Sequence, residues 1–567
     1  MAAKYFHSAG ERILAVVLLL GLGVSVSSSV PATNSLSPLR SFSFRACSDL
    51  VIGVPDENLE GDPDKLNAGA FNLIYGVRGI GLDYFGNMFW NLDTSGVGEV
   101  DEDAVAQDLF GNALTTGDYN ADGYDDLVVG IHWRDVGGAS NAGAVHVFPG
   151  HYGGVTNLED RMWSQYSLSS GASETDDHFG AALASGDFDG DGFDDLAIGI
   201  PGEDIGSPVI SNAGAVHIMY GSSNGLDDPR NIIWTQDSDD ILGTAGENDA
   251  FGSALAAGDF DGDGYDDLAI GVPLDSVHEV DYAGSVNIIY GSSSGLQSDG
   301  NQKWHQWSSL DSSLQVDGIE ENDMFGWSLA AGDFDHKGFG CYACDDLAVG
   351  VPYEDVNDPS EIKDVGAVHV LIGTEEHGIW LNSNELYWQS TLGTNNEEDD
   401  HFGSSLAAGD FDGDGRKDLV IGSPDEDLSA VINAGVAYVL YGDLSGVTTE
   451  DLDTLRQDLI GGESHAEEGD KFGYALAAGS FNCDQFDDLA ISAPYDHDVS
   501  EVEDAGVVNV LYGKYNGLTA TGNQIFSQDS ASGSYYIYDE SEVGDHFGLS
   551  LAASRARIYT YLPVVKK

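Results

Sequence analysis

The stretch that decides the fold is residues 187–196, which read DFDGDGFDDL. Aspartates occupy its positions 1, 3, 5 and 9, a glycine occupies position 6, and the apolar run Leu196–Ile200 follows at once. Residues 259–268 and 410–419 repeat the pattern, and residues 118–127 repeat it with asparagine at position 3. Carboxylates at alternate positions of a tight loop can converge on one point, where a hard cation such as calcium takes about six to eight oxygens. We therefore expect several copies of one cation-binding hairpin.

The charge of the chain is strongly one-sided. Its 567 residues include 97 acidic and 21 basic side chains, which gives a formal net charge of −76. A nucleic acid needs a basic surface, so this composition excludes it as a partner, whereas cations or a basic partner are natural complements. A solvated acidic surface adapted to salt would explain the total charge, but it would not explain why the acids cluster at fixed points of a repeat.

The dipeptide Phe-Gly marks an internal repeat with steps of 69 to 77 residues. It occurs at residues 110–111, 179–180, 251–252, 325–326, 402–403, 472–473 and 547–548. One period predicts four strands, in its second copy residues 181–188, 196–200, 215–220 and 232–236, and the aspartate loop is the turn between the first two. Four short strands per period are typical of a propeller blade.

Aromatic residues recur on the predicted fourth strand, at Trp90, Trp163, Trp234, Trp304 and Trp388, with Phe526 in the last copy. We interpret them as packing between blades rather than as a ligand site.

The two ends of the repeat region predict how the ring closes. The N-terminal part starts with a second strand at residues 50–54, and the C-terminal part stops after a first strand that begins at Phe547-Gly548. Three N-terminal strands and one C-terminal strand then complete a blade, which removes exposed sheet edges. The predicted fold is an all-β, seven-bladed β-propeller of four-stranded blades, closed by N- and C-terminal strands that share one blade.

The remaining segments predict export. Basic Lys4 and Arg12 precede the apolar run Ile13–Val26, so residues 1–30 have the layout of a signal peptide. We expect residues 31–47 to be a linker or first edge, 48–553 the propeller and 554–567 a tail. The mature chain is expected to be secreted or at the cell surface, without a membrane span.

Four cysteines allow three pairings: Cys47, Cys341, Cys344 and Cys483. Cys341 and Cys344 are close enough to pair locally, and zinc binding by this lone C-x-x-C is the weaker alternative.

Phe-Gly, the D-x-D-x-D-G-x-x-D loop and a Gly-x-Pro ending occur together, and in this the chain resembles FG-GAP repeats, the units of the integrin α-subunit propeller and of related secreted propellers. The resemblance implies calcium bound by the side chains of loop positions 1, 3, 5 and 9 and by the carbonyl of position 7. Four sites are implied: Asp118, Asn120, Asp122, Tyr124 and Asp126; Asp187, Asp189, Asp191, Phe193 and Asp195; Asp259, Asp261, Asp263, Tyr265 and Asp267; Asp410, Asp412, Asp414, Arg416 and Asp418.

Two further loops depart from the family pattern. The loop that starts at Asp333 is five residues too long, which puts its site in doubt. The loop that starts at Ser480 has Gln485 in place of the glycine, so weak binding or none is expected there.

The resemblance also implies partner recognition on the rim opposite the hairpins. Acidic loops lie there, as at Glu203-Asp204, Glu354-Asp355 and Glu397–Asp400, although turn formation explains them equally well. We interpret the histidines at 146, 217 and 369 and those at 178, 401 and 546 as structural.

The expected function is that of a monomeric, calcium-binding adhesion or ligand-binding module for a protein or a glycan, and not of an enzyme. A hydrolase or lyase with a site over the channel, or a structural surface-layer protein, is the alternative.

Overall fold

The architecture comes from a computed structural model. It describes residues 42–45, 47–59, 65–94, 104–152, 154–168, 172–226, 228–306, 318–336, 344–357, 361–375, 377–444, 446–460, 465–497, 502–532, 535–537, 541–555 and 558–561. The predicted signal peptide, and parts of the predicted linker and tail, lie outside these residues.

Seven antiparallel, four-stranded sheets confirm the predicted propeller. In chain order, blade 1 comprises Ala113–Gly117, Asp126–Ile131, Ala144–Phe148 and Arg161–Trp163; blade 2 Leu183–Gly186, Asp195–Ile200, Ala215–Met219 and Ile232–Trp234; blade 3 Ala254–Gly258, Asp267–Val272, Ser285–Tyr290 and Gln297–Trp304. Blade 4 comprises Ser328–Gly332, Asp346–Val351, Ala367–Thr374 and Gly378–Tyr387; blade 5 Ser405–Gly409, Asp418–Ser423, Val436–Asp443 and Gly446–Leu455; blade 6 Leu476–Gly479, Asp488–Ala493, Val507–Tyr512 and Thr519–Phe526.

The seventh sheet, which we call the closing blade, uses both ends of the chain. Leu551–Ala553 pairs with Leu50–Val54, which is followed by Ala70–Val77 and Gly81–Trp90. The first strands contact one another from blade to blade, and that of the closing blade contacts those of blades 6 and 1. The first strands are therefore the innermost layer.

Few other elements are present among the described residues. Short strand pairs join Gly150–His151 to Gly154–Val155, Val356–Asn357 to Glu361–Ile362, Ala531–Ser532 to Tyr535–Tyr536, and Phe42–Arg45 to Ile558–Tyr561. Single helical turns occur at Asp228–Arg230, Gln389–Leu392 and Gln457–Ile460. None of the helices in the described part of the chain could cross a membrane.

Each Phe-Gly pair fixes its blade to the preceding one. The N–H of Phe251 donates to the carbonyl of Ala213 at 3.0 Å. Gly214 has a φ of +84°, and a Cβ there would lie 2.3 Å from the nitrogen of Phe251, so the close approach requires glycine. The same bridge recurs at Gly69–Phe110, Gly143–Phe179 and Gly284–Phe325. The sequence repeat therefore encodes the contact between blades.

The hydrophobic core is divided among the blade interfaces. Seven clusters of buried apolar residues in the described part of the chain each lie between two adjacent blades. Trp234 packs between blades 2 and 3, and Trp304 packs between blades 3 and 4. The packing role predicted for these tryptophans is confirmed.

The prediction was wrong for Trp388. Tyr387 is the residue that pairs with Val368 and enters the cluster between blades 4 and 5. Trp388 follows the strand and donates its indole N–H to Ser390 Oγ at 2.8 Å. Because successive residues of a strand point to opposite faces, an error of one residue exchanges the buried and exposed positions.

A disulfide joins Cys47 to Cys483, which are 436 residues apart. It connects the segment before the closing blade's second strand to the hairpin loop of blade 6, where Ser48 N–H also donates to the Ser480 carbonyl at 3.0 Å. Cys344 is also disulfide-bonded, but the predicted partner, Cys341, lies outside the described residues. The Cys47–Cys483 bond therefore links the closing blade covalently to blade 6.

Removing this bond should destabilise the ring, because an uncross-linked unfolded chain gains entropy. We expect Cys47→Ser/Cys483→Ser to lower the free energy of unfolding by about 2–5 kcal/mol in denaturant titrations. The control is Ser223→Ala/Ser294→Ala, which changes two exposed turn residues. Equal unfolding midpoints for the cysteine variant and the wild type would contradict a role for the bond in closing the ring.

Candidate metal and ligand sites

The hairpin loop of blade 2 shows how the repeated aspartates are oriented. The N–H groups of Asp191 and Gly192 donate to the two carboxylate oxygens of Asp187, both at 3.0 Å. Asp189 Oδ1 accepts from Asp191 N–H at 3.2 Å, and Asp191 Oδ1 accepts from Phe193 N–H at 3.2 Å. These local bonds turn successive carboxylates towards the inside of the loop.

The aspartate at position 9 ties each hairpin to a glycine near the end of its blade's third strand or shortly after it. Asp195 Oδ1 accepts from Gly221 N–H at 2.8 Å, and its other oxygen accepts from Phe188 N–H at 2.9 Å. The bond to the glycine occurs in all seven blades, at 2.7 to 2.9 Å: Asp49–Gly76, Asp126–Gly150, Asp195–Gly221, Asp267–Gly291, Asp346–Gly373, Asp418–Gly442 and Asp488–Gly513.

This position is buried, and burial raises its pKa. The pKa of Asp195 is raised to about 8 and that of Asp267 to about 9, mainly because burial disfavours the charged form. Asp49 of the closing blade, which follows no aspartate loop, makes the same bond to Gly76 and has a pKa raised by burial to about 7. The hydrogen bond from position 9 to the glycine therefore belongs to the fold itself, whether or not a metal is bound.

Position 8 links the hairpins of neighbouring blades. Asp194 N–H donates to the carbonyl of Asp118 at 3.1 Å, and Asp194 Oδ2 accepts from Asp118 N–H at 2.8 Å. The same two bonds join Asp266 to Asp187, Asp345 to Asp259, and Asp487 to Asp410. Each hairpin is thus held by the next.

The closing blade supplies different residues to this chain of contacts. Arg555 follows its first strand, where the other blades start an aspartate loop, and its N–H donates to Asp125 Oδ2 at 2.6 Å. Its guanidinium Nη1 lies 2.9 and 3.0 Å from the two oxygens of Asp194. On the other side of the closing blade, where it contacts blade 6, Ser480 N–H donates to Ser48 Oγ at 3.1 Å.

Four hairpins bring three carboxylates together, with one oxygen of each within 4.8 Å of the others. These groups are Asp187, Asp189 and Asp195; Asp259, Asp261 and Asp263; Asp333, Asp335 and Asp346; and Asp410, Asp412 and Asp418. The third group was in doubt from the sequence. The inserted residues leave positions 1, 3 and 9 of that loop together, so the extra length does not separate its carboxylates.

Two loops carry an amide at position 3. In blade 1, Asn120 Nδ2 lies 3.4 Å from both oxygens of Asp126, and the described residues do not gather three carboxylates there. In blade 6, Asn482 Nδ2 lies 3.4 Å from Asp488 Oδ1. In this orientation the neutral amide donates to the carboxylate, while its oxygen is the atom that would coordinate a cation. Tyr124, Phe193, Tyr265 and Arg416 stay predicted carbonyl ligands.

Guanidinium groups contact two of the predicted calcium loops. Arg230 pairs with Asp189 and lies 3.4 Å from Asp191 Oδ2, while Arg416 pairs with Asp414 of its own loop. The blade 3 hairpin has no such ion pair among the described residues. Its carboxylates therefore have no basic side chain of the described residues paired with them.

The opposite rim carries exposed aromatic side chains, a feature that the sequence analysis missed. Trp133 lies 5.0 Å from His178 between ring centroids, and Trp327 lies 5.6 Å from Tyr353. Both tryptophans are 42% exposed. We call this set the aromatic rim, and it comprises Trp133, His178, Trp327, Tyr353, His401, Tyr474, Tyr495 and His546.

Two histidines of the aromatic rim pair with carboxylates. His401 Nδ1 lies 2.9 Å from Asp425 Oδ2, and His546 Nδ1 lies 2.7 Å from Asp56 Oδ2. Lys471 Nζ lies 2.9 Å from the other oxygen of Asp425. Burial alone would raise the pKa of Asp425, but His401 and Lys471 outweigh it and lower that pKa. By contrast, His146, His217 and His369 on the third strands are buried.

Several acidic residues of this rim point inwards. Gln165 Nε2 donates to Glu203 Oε2 at 2.5 Å, and Gln528 Nε2 donates to Glu57 Oε2 at 2.6 Å. Glu354 is buried and accepts from Gln306. These carboxylates lie between blades rather than on an open binding surface.

Comparison with known proteins agrees with this geometry. The FG-GAP repeat model matches residues 110–148, 179–219, 251–288 and 402–440. Integrin alpha-PS5 of Drosophila melanogaster is 35% identical over 169 residues, which is 29% of this chain and 15% of that protein. Phosphatidylinositol-glycan-specific phospholipase D of Bos taurus is 34% identical over 167 residues, 29% of this chain and 18% of that protein. The match spans less than a fifth of each relative.

The solved structures that match this chain do so with low TM-scores. The Dos1 propeller has a TM-score of 0.36 and 11% identity, with 84% of each chain covered. The rhamnogalacturonan lyase YesW has a TM-score of 0.32 and 12% identity, with 87% of this chain and 71% of that one covered. The hairpins, the Phe-Gly contacts between blades and the matched repeats lead to one conclusion: the chain is a seven-bladed β-propeller in which four repeats match the FG-GAP model, and part of it is similar to integrin α subunits.

Proposed function

We propose that this chain is a secreted or cell-surface ligand-binding module whose propeller is stiffened by calcium at the hairpin rim. Its ligand is a protein or a glycan that binds the aromatic rim on the opposite face. The observation that carries this proposal is the collection of half-exposed aromatic rings there. Aromatic side chains offer large contact areas at low entropic cost, and they are enriched at binding surfaces.

The hairpin carboxylates support the calcium part of the proposal. Asp187, Asp189 and Asp195 offer hard oxygen ligands within one small volume, which is the chemistry that calcium prefers. Like charges at this spacing repel one another, and a divalent cation offsets that repulsion. Affinity is expected at roughly 10⁻⁴ to 10⁻³ M, as in extracellular modules.

A second candidate function is hydrolysis of a polysaccharide or a phosphoester at the same rim. The observation that favours it is the pair of histidine–carboxylate contacts, His401–Asp425 and His546–Asp56. A carboxylate that orients an imidazole is a common arrangement for a general base. Turnover that is lost in His401→Gln and His546→Gln would favour this function over binding alone.

The proposed calcium sites differ in their electrostatics, which gives a sharp test. We expect Arg230→Gln to strengthen calcium binding at the blade 2 hairpin about fivefold in calorimetric titration, because it removes a positive charge next to the ion. Asp261→Asn should abolish one site in blade 3. The controls are Lys65→Gln and Asp239→Asn, which lie away from the hairpins. Identical melting temperatures with calcium and with chelator would contradict the calcium proposal.

Calcium binding should weaken as the pH falls. Burial raises the pKa of Asp195 in the folded, calcium-free protein to about 8, whereas the same carboxyl in the unfolded chain has the ordinary aspartate pKa of 3.8. The stability that this proton contributes is fully present below the unfolded pKa and is lost as pH rises through the folded pKa. Calcium must displace the proton, so affinity measured by calorimetry should be about fiftyfold higher near pH 8 than near pH 6. Equal affinities would refute this competition.

The aromatic rim can be tested with a ligand selected from glycan arrays and extracellular protein libraries. We expect Trp327→Ala/Tyr353→Ala to weaken binding of that ligand at least about tenfold, because truncating aromatic contacts at an interface is costly. Trp380→Ala is the matched control, since Trp380 is 39% exposed on the fourth strand of the same blade. Unchanged affinity in the double variant would place the ligand elsewhere.

A further inference from the structure

The blade interfaces carry a second set of acidic clusters at the rim opposite the hairpins. We propose that these clusters bind hard divalent cations such as calcium, independently of the FG-GAP hairpins. The best-formed site lies between blade 6 and the closing blade and consists of Glu57, Gln528, Glu542 and Asp545. One of the two blades that it joins is the closing blade, which contains both the N- and the C-terminal strands of the ring.

The geometry of this site gathers three carboxylates and one amide. One oxygen each of Glu57, Glu542 and Asp545 lies within 4.8 Å of the others, and Glu57 and Asp545 are buried. Gln528 approaches from blade 6 and donates its Nε2 to Glu57 at 2.6 Å. Its Oε1 is buried and accepts no hydrogen bond from the described residues, although Gln528 is only 1% exposed.

The buried amide oxygen is an independent reason to place a cation here. A buried acceptor without a donor is costly, and native proteins seldom leave one unmatched. A cation would be coordinated by this oxygen and by the carboxylates at once. Oxygen ligands of mixed type are those that calcium uses.

The same four-residue arrangement recurs around the ring. A glutamine two residues after the aromatic position of one blade faces acids that follow the second strand and precede Phe-Gly in the next blade. Its other copies are Gln165, Glu174, Asp177 and Glu203; Gln306, Glu320, Asp323 and Glu354; Gln389, Glu397, Asp400 and Glu426; and Gln457, Glu467, Asp470 and Asp496. Gln165 Oε1 is buried and also lacks a hydrogen bond within the described part of the chain.

Two interfaces depart from this arrangement, and both contain a basic side chain. Between the closing blade and blade 1, Arg134 Nη1 lies 2.7 Å from Asp108 Oδ2, and Leu92 and Val105 replace the glutamine and the first glutamate. Between blades 2 and 3, Lys303 Nζ lies 2.5 Å from Asp275 Oδ2, and a glycine replaces the first glutamate.

These substitutions show what the cluster requires. Where the protein supplies its own cation, the cluster has fewer carboxylates: two fewer beside Arg134 and one fewer beside Lys303. Buried carboxylates without a countercharge are costly, so the five complete clusters need positive charge from another source. Protons could neutralise them in part, but they would leave the amide oxygens of Gln165 and Gln528 unmatched. A bound cation satisfies both requirements.

Equilibrium dialysis of the mature chain with radioactive calcium tests this proposal, because it compares the number of ions that each variant binds. Glu57→Gln/Glu542→Gln should bind one calcium fewer than the wild type. Asp239→Asn/Asp240→Asn is the control, since it removes the same charge at exposed positions and should keep the wild-type number. The hairpin ligands are intact in both variants, so failure of this proposal is distinguishable from failure of the hairpin sites.

A second variant guards against a folding defect. Gln165→Leu/Glu174→Val/Glu203→Arg copies the Leu92, Val105 and Arg134 arrangement into the interface between blades 1 and 2. It should fold as judged by circular dichroism, bind one calcium fewer and melt without calcium at or above the wild-type temperature. An unchanged calcium count in either folded variant would overturn the proposal. The proposal would also be overturned if the stability that a cluster contributes changed with pH but not with calcium concentration.

Discussion

The propeller depends on one repeated hydrogen bond, between the last aspartate of each hairpin and the glycine amide at the end of the third strand. It occurs in all seven blades, including the closing blade, where Asp49 makes it without an aspartate loop. A side chain on the glycine cannot fit, since a Cβ on Gly221 would lie 2.3 Å from the Asp194 carbonyl. This bond fixes where the hairpin sits on its own blade. Calcium, in our account, binds a loop that the fold has already positioned.

The hairpins also act on one another. Because position 8 of one loop bonds to position 1 of the loop before it, the hairpin rim is a continuous ring of contacts rather than separate sites. Asp118, Asp187 and Asp410 are each held by the next blade. At the closing blade, where no aspartate loop follows the first strand, Arg555 and the Cys47–Cys483 disulfide take over this linking role. A cation in one loop therefore also constrains its neighbour.

The repeat made most of the fold predictable, since Phe-Gly and the aspartate loop fix the number, order and interface of the blades. The packing role predicted for Trp388 was wrong because a one-residue shift of the strand is not visible in a pattern of aromatic spacing. The metal site of the Asp333 loop was placed in doubt because loop length alone does not reveal that Asp346 stays beside Asp335. The aromatic rim was missed because residues such as Trp327, Tyr353 and His401 occupy different positions of the repeat and meet only in three dimensions. The position 8 contacts likewise join residues about one repeat apart.

The central claim is that cations complete a ring of hairpins that the polypeptide has already assembled. A crystal structure determined at calcium saturation tests it most directly. The account predicts an ion at about 2.3–2.6 Å from the carboxylates of Asp187, Asp189 and Asp195, with the bond from Gly221 to Asp195 retained. Ordered water in place of the ion, or an ion bound only after the Gly221 bond has broken, would contradict it.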